Sequence, residues 1–232
     1  HCFAPTEQAR AHLLAEGVPD NRITVTGNTG IDALFALCDE TGLAAEDDPA
    51  WSAGSGTRII LVTAHRRESF GPPLESICRA LRRLVQHHPD VLILFPVHPN
   101  PRVQHAVRRH LADCARVRLL HPLPYPSFVH LLRRATLVLT DSGGVQEEAP
   151  AFGTPVLVLR DVTERPEGVA AGVALLVGTE EERILAEASR LLDDPVVHAA
   201  MARRINPYGD GKAAGRILEV LRSGAGAWAR QP

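Results

Sequence analysis

The 232-residue chain has a formal net charge of −2, and 45% of its residues are hydrophobic. Basic residues are matched by carboxylates throughout, so the composition does not indicate a nucleic-acid-binding surface. The chain can bury a substantial core, yet no apolar stretch approaches the ~20 residues that span a membrane. The four cysteines lack CxxC spacing. This argues against a zinc site or a disulfide framework and favours reduced thiols in a cytoplasmic protein.

Residues 1–42 combine short strands with helices. HCFAPT reads as the end of a strand, and a helix is predicted over residues 5–18, with Pro5 suited to its first turn. Residues 22–28 alternate like a short strand, and residues 29–40 have helical periodicity. Because the chain opens on HCFAPT rather than on methionine, we expect a further part upstream of it.

Residues 43–57 lose this periodicity and concentrate glycine, serine, aspartate and proline, which predicts a linker. Beyond it, strands and helices alternate. Predicted strands cover residues 58–64, 91–97, 117–120, 136–140, 155–159 and 173–177. Predicted helices cover residues 72–87, 101–112, 128–135, 180–193, 195–204 and 211–222. Short Val, Ile and Leu runs between amphipathic helices indicate a doubly wound parallel α/β sheet in a domain over residues 58–205.

Four of the predicted strands end in polar, unusual sequences. These are TAHRRESFG at 63–71, PVHPNPR at 96–102, TDSGG at 140–144 and RDVTERPEG at 160–168. In doubly wound sheets, ligands bind beyond the carboxyl ends of the strands. A turn needs glycine, asparagine or aspartate, but it does not need histidine, arginine and glutamate repeatedly. The sequence therefore predicts a binding site at this edge of the sheet.

TDSGGVQEE predicts a helix that begins close to the site. With Ser142 at the helix start, the backbone amides near Gly143 and Gly144 would favour an anion such as a phosphate. Glu148 lies one turn further on and could accept hydrogen bonds from a ribose diol. The structural alternative is a serine N-cap followed by two solvated acids, Glu147 and Glu148.

His65 falls at or just past the end of the first strand of the 58–205 domain. A histidine there could donate to a phosphate oxygen or transfer a proton near neutral pH. Arg66 and Arg67 add positive charge, although Glu68 could pair with one of them. Arg165, in TERPE, could clamp a leaving phosphate or could form an internal Arg–Glu pair.

For two further loops, a ligand-binding interpretation and a structural interpretation are equally supported by the sequence. His98 lies between two prolines and either contacts a ligand or shapes the turn. In HPLPYPSF, Tyr125 and Phe128 could accept a flat base, or Phe128 could belong to the core. The sequence contains no DxD or HExxH motif and no GxSxG motif, so we expect no metal, no cofactor and no covalent nucleophile.

Seven motifs occur together in one order: HCFAPTEQAR, VTGNTGIDAL, VTAHRRESFG, PVHPNP, LTDSGGVQEEAP, RDVTERPE and NPYGDG. Over nearly its whole length the chain therefore resembles the non-hydrolysing UDP-N-acetylglucosamine (UDP-GlcNAc) 2-epimerases. The resemblance implies a GT-B fold of two Rossmann-like halves with the active site between them. Here, residues 1–42 would be a remnant of the N-terminal half, residues 58–205 the UDP-binding half, and residues 206–232 a tail helix packing back on the former.

The resemblance also implies roles for particular residues. His65, as a catalytic residue, and Arg165 would lie near the phosphates, with Ser142, Gly143 and Gly144 at the helix N-terminus and Glu148 at the ribose. Leu123, where the family often has glutamine, and Phe128 would lie on the uracil side. Arg66 and His98 match positions implicated in binding a second, allosteric UDP-GlcNAc.

The implied reaction interconverts UDP-GlcNAc and UDP-ManNAc by eliminating UDP to 2-acetamidoglucal and adding it back. The expected proton-transferring acids belong to the N-terminal half, so we expect this chain alone to bind UDP weakly and not to epimerise. The full-length protein is expected to be a cytoplasmic homodimer serving cell-envelope polysaccharide synthesis. The alternatives are a GT-B glycosyltransferase, a hydrolysing epimerase that releases ManNAc, and a non-catalytic UDP-sugar-binding module.

Overall fold

The computed structural model describes residues 1–41, 54 and 56–228. The chain divides into two compact units, a smaller one of His1–Gly42 with Asn206–Pro232 and a larger one of Leu43–Ile205. Most of the predicted linker over residues 43–57 lies outside the described residues.

The smaller unit contains two parallel strands, β1 (Cys2–Ala4) and β2 (Ile23–Val25), and the helices α1 (Glu7–Ala15), α2 (Thr29–Thr41) and α10 (Ala213–Trp228). Helix α1 starts two residues after Pro5, because Thr6 is its N-cap and accepts a hydrogen bond from the Ala9 amide at 3.0 Å. Helix α10 extends beyond the predicted end at residue 222.

The start of α10 is held by α2. The Asp32 carboxylate accepts hydrogen bonds from the amides of Ala213 and Ala214 at 3.0 and 2.6 Å. Just before the helix, Gly211 has a φ of +79°, and a Cβ at this position would lie 2.5 Å from Cδ2 of Phe35. Glycine is therefore required there both for its backbone conformation and for the close approach of the ring.

Among the described residues, the larger unit contains a six-stranded parallel sheet with the strand order β5-β4-β3-β6-β7-β8. The strands are β3 (Arg58–Thr63), β4 (Val91–Pro96), β5 (Val117–Leu120), β6 (Leu137–Thr140), β7 (Val156–Val158) and β8 (Ala174–Leu176). The helices are α3 (Pro72–His87), α4 (Pro101–Leu111), α5 (Tyr125–Arg134), α6 (Gly143–Glu148), α7 (Pro166–Ala170), α8 (Glu181–Asp193) and α9 (Pro195–Ala202).

Alternate residues of β3 build the cores on the two faces of this sheet. Ile60 and Val62 belong to the core with α3, α4 and α8. Ile59 and Leu61 belong to the core on the opposite face, with α5. Because each face is covered, the strands are apolar throughout rather than alternating. The prediction of a doubly wound parallel α/β sheet is confirmed.

The sheet order places a switch point between β3 and β6. From β3 the chain continues to β4 and β5 on one side, while β6, β7 and β8 lie on the other. Thr63 is in register with Thr140, and their hydroxyl oxygens are 2.6 Å apart. The carboxyl ends of both strands therefore meet at the position where such sheets bind ligands.

The prediction for α5 was wrong at its start. The helix begins at Tyr125 rather than at residue 128, with Pro126 in its first turn. Proline fits there because the first amides of a helix have no partner within the helix. The prolines that suggested a loop therefore mark a helix start, and Phe128 is helical.

Candidate functional site

A cavity of about 220 Å³ opens at the carboxyl ends of β3, β4 and β6. Its lining includes four of the predicted site residues, His65, His98, Leu123 and Ser142. They come from four separate loops, which the parallel sheet brings together at one edge. Phe128 does not belong to the described lining; it is partly buried and packs against the core that includes Leu131 and Val145.

His65 is held by Asp141, which the sequence interpretation did not select. Asp141 follows β6 directly and is fully buried. Its Oδ2 accepts hydrogen bonds from the amides of His65 and Arg66, both at 2.8 Å, and Oδ1 lies 3.0 Å from Nδ1 of His65. Burial by itself would raise the pKa of Asp141, but the interactions with His65 and the two amides outweigh it and lower that pKa below its usual range.

His98 stacks on His65. The two rings are 5.9 Å apart between centroids and inclined by 16°. Nδ1 of His98 accepts a hydrogen bond from the Asn100 amide at 3.2 Å. His98 therefore shapes its turn and also lines the cavity, so the two readings of this residue are compatible.

Two arginine side chains converge beside Gly143. A Cβ placed on Gly143 would lie 3.7 Å from Nη2 of Arg66 and 3.9 Å from Cζ of Arg165. Ser142 occupies the N-cap position of α6, as the structural alternative expected, but its side chain makes no capping hydrogen bond to the helix. The start of α6 thus lies next to two guanidinium groups, an arrangement that attracts anions.

Arg165 is oriented by an ion pair with Glu147, which joins its Nε. Nη1 of Arg165 also donates to the carbonyl of Glu164 at 3.1 Å, and its amide donates to the Thr163 hydroxyl at 3.0 Å. The predicted internal Arg–Glu pair exists, but its partner is Glu147. Glu147 is buried, so the structural alternative of two solvated acids does not hold for this residue.

A charged network joins the HRRES and TERPE loops. Arg160, only 8% exposed, contacts Glu68 at 2.6 Å and also pairs with Glu164. Glu164 in turn accepts a hydrogen bond from Arg66 at 3.3 Å. Hydrogen bonding from Arg160 lowers the pKa of Glu164 to about 2. Glu68 therefore pairs with Arg160, and Arg66 pairs with Glu164.

Glu148 is half-buried and accepts a hydrogen bond from the Tyr125 hydroxyl at 3.0 Å. Burial raises the pKa of Glu148. The hydrogen bond from Tyr125 lowers this pKa and the neighbouring Glu147 raises it, and the net result is a raised pKa. Glu148 is therefore not a simple solvated acid either. A Cβ on Gly144 would meet nothing within 4 Å, so crowding within the described protein does not require glycine there.

The fold and the cavity at the switch point place the larger unit among the doubly wound, Rossmann-like α/β proteins. A family model described as UDP-N-acetylglucosamine 2-epimerase matches residues 1–222. The chain therefore belongs to the UDP-N-acetylglucosamine 2-epimerase family.

Individual relatives agree with this assignment. The chain is 49% identical over 226 residues to the UDP-N-acetylglucosamine 2-epimerase of Escherichia coli K12, covering 95% of this chain and 60% of that protein. A crystal structure of the Neisseria meningitidis UDP-GlcNAc 2-epimerase bound to UDP-GlcNAc has a TM-score of 0.89 at 39% identity, with coverage of 95% and 61%. An S. aureus MnaA–UDP co-structure has a TM-score of 0.89 at 40% identity, with coverage of 99% and 62%.

The chain thus spans about 60% of the length of these relatives. Within the residues that the structure describes, no helix is both long enough and apolar enough to cross a membrane. The same residues contain no group of three or more histidine, cysteine, aspartate or glutamate side chains arranged to hold a metal ion.

Proposed function

We propose that this chain supplies the UDP-binding part of a UDP-GlcNAc 2-epimerase, which interconverts UDP-GlcNAc and UDP-ManNAc. The observation that carries the proposal is the convergence of the Arg66 and Arg165 side chains beside Gly143 in a member of this family. The relatives from N. meningitidis and S. aureus, with UDP-GlcNAc and UDP bound respectively, support UDP-GlcNAc and UDP as the ligands here.

The proposed reaction needs charge stabilisation at the departing diphosphate. The C2 proton is removed and the bond from C1 to the phosphate oxygen breaks, giving 2-acetamidoglucal and UDP. UDP then adds back to C1 as a proton is delivered to the opposite face of C2. In this proposal, Arg165, His65 and the backbone amides at the start of α6 stabilise the negative charge on UDP.

Arg165 is prepared for this role by its buried partner. The ion pair with Glu147 fixes the guanidinium beside Gly143 before a ligand arrives. Because the guanidinium carries five N–H donors, it can keep a hydrogen bond to Glu147 and still donate to a phosphate oxygen. This arrangement reduces the conformational entropy that the side chain loses when UDP binds.

The nucleoside is proposed to lie along α5 and α6. Glu148 would accept hydrogen bonds from the ribose diol, and the Tyr125 hydrogen bond supports this role because it orients the carboxylate. Leu123, which lines the cavity, is proposed to contact the uracil side. Phe128 would support that side from the core rather than stack on the base.

The base that removes the C2 proton is proposed to belong to the part of the relatives that this chain does not span. The described cavity lining contains histidines but no carboxylate, which supports this assignment. We also propose that Arg66 and His98 contact a second, activating UDP-GlcNAc. Their positions beside Arg165 and His65 favour direct contact between the two ligands.

Two measurements on the purified 232-residue chain test the proposal. Calorimetry is expected to detect weak UDP binding that is stronger than binding of uridine, and incubation with UDP-GlcNAc is expected to give no UDP-ManNAc. Interconversion by this chain would contradict the placement of the base. Transfer of the sugar to an added acceptor would indicate a glycosyltransferase, and release of free ManNAc would indicate a hydrolysing epimerase.

The remaining expectations concern the whole protein. We propose a homodimer that acts in the cytoplasm and feeds cell-envelope polysaccharide synthesis. Sedimentation of the full-length protein at micromolar concentration tests the first of these: a dimer is expected, and a monomer would contradict it.

A further inference from the structure

Asp141 is a fully buried carboxylate at the end of β6, beside the cavity. Its two oxygens have different surroundings. Oδ2 accepts hydrogen bonds from the amides of His65 and Arg66 at 2.8 Å and from the Ser69 hydroxyl at 3.3 Å. These three bonds hold the loop after β3 against the end of β6. They also fix the orientation of the carboxylate.

Oδ1 faces the His65 ring. Nδ1 of His65 lies 3.0 Å from Oδ1, a buried oxygen that has no hydrogen-bond partner among the described residues. If Nδ1 carried a lone pair, two regions of negative charge would face each other in a buried place, which is unfavourable. A proton on Nδ1 removes this repulsion and gives the buried oxygen a donor.

We propose that Asp141 is a positioning residue that keeps the proton of the neutral His65 ring on Nδ1, so that Nε2 is left as the nitrogen available to a ligand. When His65 also takes a proton on Nε2, the ring becomes a cation between the Asp141 carboxylate and an incoming anion. The inference rests on the proposed function only in taking that anion to be the diphosphate of UDP.

The alternative is that Asp141 only fastens the loop. The hydrogen bonds to Oδ2 would be sufficient for that, and they do not depend on the state of the His65 ring. The two roles can therefore be separated experimentally. Asp141→Asn keeps one oxygen for the three donors, which directs its amide NH₂ group towards Nδ1. An NH₂ group is a donor, so Nδ1 must then accept and the ring proton moves to Nε2.

The test is the tautomer of His65, observed by nitrogen NMR of the ¹⁵N-histidine-labelled chain at a pH at which histidines are neutral. The His65 signals are assigned by their absence from the His65→Gln spectrum. The wild-type chain is expected to carry the proton on Nδ1, and Asp141→Asn is expected to carry it on Nε2. Ser69→Ala removes one donor to Oδ2 without touching Oδ1, so this matched control should keep the wild-type tautomer.

A wild-type ring protonated on Nε2, or the same tautomer in wild type and Asp141→Asn, would overturn the proposal. The wild-type spectrum decides the matter even if Asp141→Asn does not fold. UDP titration of the same variants at a lower pH, at which a histidine can carry both ring protons, tests the function separately. Asp141→Asn is expected to bind UDP about tenfold more weakly, because a charge-assisted hydrogen bond becomes a neutral one. If wild type has the expected tautomer but does not bind UDP, the proposed function fails and the role of Asp141 stands.

Discussion

The N-termini of two helices, α10 in the smaller unit and α6 in the larger, are capped in different ways. At α10, the protein supplies its own anion: the Asp32 carboxylate accepts hydrogen bonds from the Ala213 and Ala214 amides. At α6, Ser142 provides no side-chain cap, and two guanidinium groups lie beside Gly143 instead. Both ends favour negative charge through the helix dipole. The first serves stability, whereas the second is suited to an external anion.

Removal of Arg165 is expected to have the largest effect, because it removes the most direct positive charge from the α6 end. Arg165→Ala should weaken UDP binding by roughly 100-fold, since a hydrogen bond to a charged group contributes up to about 3 kcal/mol. Calorimetric titration with UDP measures the change. The matched control is Arg83→Ala, which removes a surface arginine paired with Glu181 and Glu182. An equal loss in both variants would contradict a local role for Arg165.

At the α10 end, the expected effect is on stability rather than on binding. Asp32→Ala removes the acceptor for two helix amides and should lower the free energy of unfolding by about 1 kcal/mol. Denaturant unfolding of the chain measures this loss, and UDP affinity should stay within about twofold of wild type. The comparison between the two helix ends breaks down if Asp32→Ala abolishes UDP binding while the chain remains folded.

Glu148 should give UDP binding an acid limb. Its pKa is raised by burial, so the carboxylate becomes protonated, and loses its acceptor role, as the pH falls through that raised value. Tyr125→Phe removes a hydrogen bond that lowers this pKa. The limb should therefore move to higher pH, with a loss of about threefold in affinity within it. Titrations across pH measure the shift, with Glu148→Gln as the control that lacks the Glu148 carboxylate and should not show this limb.

The smallest effect is expected at Asp210. Arg216 holds the pKa of Asp210 at about 2, below its usual range, so the pair stabilises the folded state above the ordinary aspartate pKa. That contribution is lost as the pH falls towards about 2. Both side chains are about half exposed to solvent, so Asp210→Asn should lower the thermal midpoint only slightly, less than Asp32→Ala does. A larger loss than in Asp32→Ala would mean that this pair stabilises the fold more than its exposure suggests.

Much of the fold followed from local patterns. The continuous apolar runs of β3, β4 and β6 predicted a parallel sheet, and that sheet brings the loops carrying His65, His98 and Ser142 to one edge. The start of α5 was missed because its prolines resemble loop residues, although proline is also common in the first turn of a helix.

The partners of the site residues could not be predicted from local patterns. Arg66 pairs with Glu164, 98 positions further along the chain, and the His65 amide reaches Asp141 across 76 positions. Such pairs form only when the sheet order is known. Asp141 and Glu147 read locally as ordinary turn and helix acids, and only their burial separates them from solvated residues.

The most direct test of the central claim is a crystal structure of the chain with UDP. We expect the diphosphate between the amides at the start of α6 and the guanidinium of Arg165, at hydrogen-bond distances of about 3 Å, with the ribose on Glu148. A diphosphate bound elsewhere, with Gly143 and Arg165 making no contact to it, would contradict the account.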